Sequence, residues 1–197
     1  MAGFVDALGF LSLGGVFVSF MSGNTTQFGT RVARGDFTSA LVVVPAAVLV
    51  LFLTGVVAGT ALRRRLGPRG AGVVAAVVAA LLLGAAVAAT LAWRPLAIGL
   101  AVLAMGASNT VLVSGGTGMG VTYVTGAIVK LGQAIGGRLV GDRDDAWRFQ
   151  LSLWACLAAG AVAGAMAYGK WQLLSLWLAF GAAALLVGPV LRAEGRS

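Results

Sequence analysis

Five stretches of this chain run almost unbroken in apolar residues: Leu41–Leu62, Gly72–Trp93, Pro95–Val113, Phe149–Tyr168 and Trp171–Leu191. Each reaches or approaches the ~20 residues that a membrane-spanning helix needs. Periodicity cannot separate helix from strand in runs so rich in Ala, Leu, Val and Gly, but length can, and it favours helix. An outer-membrane barrel would instead show short segments of alternating polarity. Only 10% of the residues are charged and the mean hydropathy is +0.98, against about 25% charged for an ordinary soluble domain. The expectation is an all-α polytopic membrane protein, a single transmembrane domain over residues 1–197.

The formal net charge is +8. The basic residues gather in short loops between the apolar runs, Arg63, Arg64, Arg65 and Arg69 in one, Arg138, Arg143 and Arg148 in another. That distribution sets membrane orientation and gives no reason to expect nucleic acid as a partner. Membrane lipids are the expected surroundings. The chain holds no His and a single cysteine, Cys156, inside an apolar run. An intramolecular disulfide is therefore impossible, and no metal-ligand set or cofactor is expected. The first residues lead straight into polar-interrupted sequence, with no cleavable signal in view.

The chain repeats itself. Gly14–Gly29 reads GGVFVSFMSGNTTQFG, and 103 positions later Thr117–Gly132 reads TGMGVTYVTGAIVKLG. Gly15 falls on Gly118, Ser19 on Thr122, Phe20 on Tyr123, Ser22-Gly23 on Thr125-Gly126, and further back Gly3 on Gly106 and Asp6 on Asn109. Two homologous repeats follow, residues 1–93 and 95–192. In each, an apolar helix is broken by Gly, Ser, Thr and Asn. Gly14-Gly15 breaks the first, Val16–Met21 favours extended backbone, and Ser22, Asn24 and Thr25 are N-cap types from which a second helix starts. Non-helical backbone at membrane depth is tolerated only when buried in protein or lining a watery cavity. Gly55 and Gly59, with their counterparts Gly160 and Gly164, form small-xxx-small patterns suited to close helix contact.

With Lys130 left aside inside its apolar segment, three crossings per half divide the other Lys and Arg nine against four across the membrane; four per half divide them eight against five. About six spans are expected, up to eight if the motifs cross separately. An odd number per half makes the repeats inverted, the plan of many transporters. Against this, Pro95 to Gly137 is long for one crossing unless part of it re-enters.

Gly14–Asn24, with Val5-Asp6-Ala7 and Phe10-Leu11 before it, resembles the YoaK family of bacterial membrane proteins, and the likeness covers nearly the whole chain. The resemblance implies a multi-pass inner-membrane protein of about six spans, usually with a longer N-terminal segment, and an activity not established. It supplies no substrate.

Within the motifs, Lys130 stands inside an apolar segment opposite Gln27. Lysine at a helix centre costs roughly 2.5–3.5 kcal/mol and is usually turned to a cavity or partner, although its long stem can also snorkel to the interface. Helix N-termini at Ser22 and Thr125, facing each other, would favour an anionic or hydrogen-bond-accepting solute. The expected substrate-binding set is Ser19, Ser22, Gly23, Asn24, Thr25, Gln27, Asn109, Thr122, Tyr123, Thr125, Gly126 and Lys130, with Gln133 nearby. Asp6 is the candidate for ion or proton coupling, for pairing with Lys130, or for a surface position at a frayed terminus. No nucleophile stands beside a base and no phosphate loop is present, so no enzyme is expected. The functional expectation is a small-solute transporter with a midplane site at the two motifs, taking a small anionic or polar solute. The alternative is a non-transporting scaffold or assembly partner that packs through its Gly-rich faces. Because 197 residues make a thin wall for a pathway, a homodimer is also expected.

Overall fold

Leucine-, alanine- and valine-rich runs can satisfy their own backbone hydrogen bonds only as helix when water is absent, and helix is what they form. The computed structural model describes residues 1–111, 124–141 and 146–194. Among these residues there are eight α-helices and no strand: α1 (Ala2–Ser12), α2 (Met21–Val32), α3 (Ala40–Leu66), α4 (Gly70–Thr90), α5 (Arg94–Ser108), α6 (Val124–Leu139), α7 (Ala146–Trp171) and α8 (Leu176–Glu194). Short 3-10 turns at Gly67–Arg69 and Gln172–Ser175 join α3 to α4 and α7 to α8. The stretches Ala40–Thr90 and Trp147–Glu194 are long and apolar enough to cross a membrane; at 1.5 Å per residue, the 27 residues of α3 alone extend about 40 Å.

The core is assembled around α4. It packs against α5 and α8, α3 packs against α5, and α1 packs against α7. Val74, Leu82, Ala85 and Ala86 of α4 and Ala97, Val102, Ala104 and Met105 of α5 are sealed from the surface. Small side chains on both helices allow this close approach, as expected where lipid offers no hydrophobic drive for helices to associate.

Two crossings bring backbone onto backbone. A side chain on Gly106 would overlap the carbonyl oxygen of Phe52, and one on Gly55 would meet that of Leu103; Gly59 lies over Ala107. At the other crossing, a side chain on Gly3 would overlap the carbonyl oxygen of Leu157, and Gly164 lies against the Phe4 backbone. The Gly-rich faces of α3 and α7 are thus spent inside the molecule, on α5 and α1.

Directions follow from the contacts. Along the α3–α5 crossing Phe52 and Gly55 meet Leu103 and Gly106, while Gly59 meets Ala107 and Arg63 donates from Nη1 to the Thr110 carbonyl at 2.6 Å. The two helices run parallel. For α4 and α8 the order is reversed. Gly72 lies against Leu191 and Glu194 at one end, and Trp177 Nε1 donates to Thr90 Oγ1 at 3.1 Å at the other. These two helices are antiparallel.

Candidate functional site

The break after α1 is where the fold departs from straight helix. Gly14 and Gly15 take φ of 63° and 106°, a region that other L-residues rarely enter, and the chain reverses there. Residues 16–20 then run back along α1. Val18 covers Gly9, and the Ser19 amide donates to the Asp6 carboxylate at 2.7 Å. From Met21 the chain turns again into α2.

Polar side chains on both flanking helices collect the backbone groups that the break releases. Asn24, fully buried on α2, accepts from the Phe17 amide through Oδ1 at 2.9 Å and donates from Nδ2 to the Phe17 carbonyl at 2.7 Å. Gln27 donates from Nε2 to the Gly15 carbonyl at 2.8 Å. The Ser19 amide that Asp6 holds lies two residues before α2, so the carboxylate is placed near the electropositive entrance of that helix. An unpaired buried backbone group costs about 1–3 kcal/mol, and this bracket removes several such costs at once.

Asp6 also lines a cleft of about 410 Å³ between α1, the broken segment and α7, walled by Phe10, Leu11, Phe17, Leu157, Ala161 and Val162. Asp6 supplies the carboxylate in a lining that is otherwise apolar. The Phe17 ring is stacked at a tilt on Phe10, centroids 4.8 Å apart, and edge-on to Phe20 at 5.1 Å. Gly23 leaves room for the Phe17 and Phe20 rings.

The other candidate residues are distributed as follows. Ser19 is buried in the break, and Ser22 and Thr25 are exposed on α2. Ser22, Asn24 and Thr25 do not cap the helix. The N-cap is Phe20, without a side-chain cap bond; Asn24 is turned to Phe17, and the Thr25 hydroxyl donates to the Met21 carbonyl one turn back. The N-cap expectation is therefore corrected: the helix starts at Met21, so these three residues lie inside its first turns, and Asn24 is committed to Phe17. Asn109 is half-buried just past α5 and donates from Nδ2 to the Met105 carbonyl at 2.8 Å. Thr125 and Lys130 are exposed on α6, and Gly126 is buried. Thr122 and Tyr123, with the rest of 112–123, lie outside the described residues. The helices that follow the two motifs pack on α3 and α7 respectively, rather than on each other.

Sequence reasoning passed over Glu194. It reaches from the end of α8 to the first turn of α4, accepting from the amides of Ala71 at 2.6 Å and Gly72 at 3.0 Å. An acidic residue ending an apolar run, with a Gly-Ala-Gly start on another helix, was the available signal. The cleft-lining Phe10 and Phe17 were also passed over, since aromatic residues in a membrane segment read as lipid contacts.

Helical throughout its described elements, with two stretches long and apolar enough to cross a membrane and a break bridged by its own polar side chains, the chain has the make-up of a helical membrane protein. The chain belongs to the family described as "Protein of unknown function (DUF1275)", which it matches over residues 1–188. It is similar to the UPF0700 transmembrane protein of Rhizobium meliloti (strain 1021), 36% identical over 188 residues, 94% of this chain and 80% of that protein. The expectation of an uncharacterised membrane family is met at that level. No solved structure matches the chain.

Proposed function

We propose that the protein is a small-solute transporter of the bacterial inner membrane, built from two inverted repeats with six crossings, and that its solute is a small anion. The observation that carries the reading is the Asp6 carboxylate held by the Ser19 amide just before α2. The first motif is an anion site already filled by the chain itself. Its counterpart in the second repeat has Asn109 where the first has Asp6, and Lys130 on the helix that follows. A solute carboxylate or similar anion would take in the second motif the place that Asp6 takes in the first.

The duplication is supported by the two crossings. The shift of 105 residues that carries Gly55 onto Gly160 carries Phe52 onto Leu157, and the 103-residue shift carries Gly3 onto Gly106. Gly106 on Phe52 and Gly3 on Leu157 are then one contact made twice. Inversion is supported by α4 and α8, which close the two halves and run antiparallel. Counterparts of opposite direction are related by an axis in the membrane plane, which needs an odd number of crossings per half. Each broken helix then crosses once, and the Arg63–Arg69 loop, the Arg138–Arg148 loop and the C-terminus share the cytoplasmic side.

Thermal unfolding of purified protein against a panel of small carboxylates, inorganic anions and neutral metabolites tests the reading. An anion at 100 times its dissociation constant adds about 2.7 kcal/mol of stability. The gain is expected in the wild type and absent in Lys130→Ala. Stabilisation by neutral solutes alone, equal in both proteins, would sink the anion reading.

A further inference from the structure

The seam between α4 and α8 is closed differently at its two ends. At one end Glu194 accepts from the amides of Ala71 and Gly72. Both belong to the first turn of α4, whose amides have no partner within the helix, and the carboxylate also meets the positive end of the helix dipole. A side chain at Gly72 would collide with Leu191 and the Glu194 carboxylate, so glycine there makes room for the clasp. At the other end a single neutral bond joins Trp177 Nε1 to Thr90 Oγ1, and both residues are exposed.

Gly72 and Thr90 are 18 residues apart, five turns of an α-helix, and so lie on one face. Ala79 and Ala86 lie near the same stripe and are buried, as are Ala179 and Ala183 of α8. The buried residues of α8, Leu176, Ala179 and Ala183, lie toward the Trp177 end, whereas Leu185, Leu186 and Leu191 toward the other end are exposed, so the Glu194 bonds carry much of that end's resistance to opening.

We propose that Glu194 is a conformational latch: it holds the end of the α4–α8 seam beside the Arg63–Arg69 loop shut at rest. The proposal rests on the transporter reading, since alternating access requires each end to open in turn. The hold follows from the chemistry of that closure. Hydrogen bonds to a carboxylate are roughly twice as strong as neutral ones, and Glu194 accepts two from the backbone of α4.

The test uses single-cysteine reporters near each end, Ala75→Cys and Ala86→Cys, in a Cys156→Ala background, in nanodiscs without solute. The rates of modification by a polar maleimide are compared. Glu194→Gln raises the Ala75→Cys rate by about tenfold or more and leaves the Ala86→Cys rate within about twofold. Thr90→Val leaves the Ala75→Cys rate unchanged. An Ala75→Cys rate unmoved by Glu194→Gln overturns the latch. So does a rise at both reporters together with a fall in melting temperature, which would mean general loosening. Because no solute is present, a failed anion panel beside rates that split as expected would remove the solute and keep the latch.

Discussion

The crossing of α5 on α3 and the crossing of α1 on α7 use one device and end in different surroundings. In both, a glycine of the shorter helix sits on a carbonyl of the longer one, Gly106 on Phe52 and Gly3 on Leu157. Around α5 the contact is sealed: α4 covers its other side, and Val102, Ala104 and Met105 have no exposed surface. Around α1 it is open: Phe10 and Leu11 are more than 40% exposed and the Asp6 cleft lies alongside. The shared part is scaffold. The difference, a carboxylate beside a cleft on one side and a half-buried Asn109 at the end of a sealed helix on the other, is where function can reside.

The largest expected effect falls on the shared part. Gly106→Leu and Gly3→Leu should each abolish the folded state, read as loss of a monodisperse peak and of a cooperative melt. Ordinary overpacking costs about 1–3 kcal/mol, and here backbone rather than a side chain would have to move. A protein that folded normally with Gly3→Leu but failed with Gly106→Leu would break the equivalence of the crossings.

Asn24→Ala comes next. It strands the amide and carbonyl of Phe17 together, at about 1–3 kcal/mol for each buried group, so a loss of roughly 2–5 kcal/mol is expected in reversible denaturation. A loss under about 1 kcal/mol would show that water replaces the bracket.

Asn109→Asp sharpens the contrast between the halves. It gives the second motif the carboxylate of the first, and should remove the anion-induced gain of about 2.7 kcal/mol at 100 times the dissociation constant while barely changing the stability of the unliganded protein. Retention of the full gain would argue against an anion at that position. The smallest effect is expected from Trp177→Phe, which deletes one exposed neutral hydrogen bond and should cost about 0.5–1.5 kcal/mol or less.

Much of this architecture was legible in the residues. Apolar length specified helix, Gly14-Gly15 marked the break, and β-branched Val16 and Val18 marked the non-helical stretch after it. The Gly55/Gly59 and Gly160/Gly164 spacings marked close crossings. The employment of the polar residues was not legible. Ser22, Asn24 and Thr25 carry N-cap chemistry, yet whether a buried Asn caps its own helix or bridges a neighbouring loop depends on where the chain turns back. Where the returning segment comes to lie is fixed by the packing of Val18 against Gly9, a tertiary contact with no local signature. Asp6 and Glu194 were obscure for the same reason: each acts on amides 13 or more residues away.

The account turns on the two halves being inverted, and the side of the membrane reached by the α6–α7 connection tests that most directly. Single cysteines at Leu66, Val140 and Ala33 in a Cys156→Ala background, labelled in intact cells with an impermeant reagent, report the sides. With three crossings per half, Leu66→Cys and Val140→Cys are shielded together while Ala33→Cys is labelled from outside. If Leu66→Cys and Val140→Cys lie on opposite sides, one labelled from outside and the other not, each motif crosses the membrane separately and the inverted plan fails.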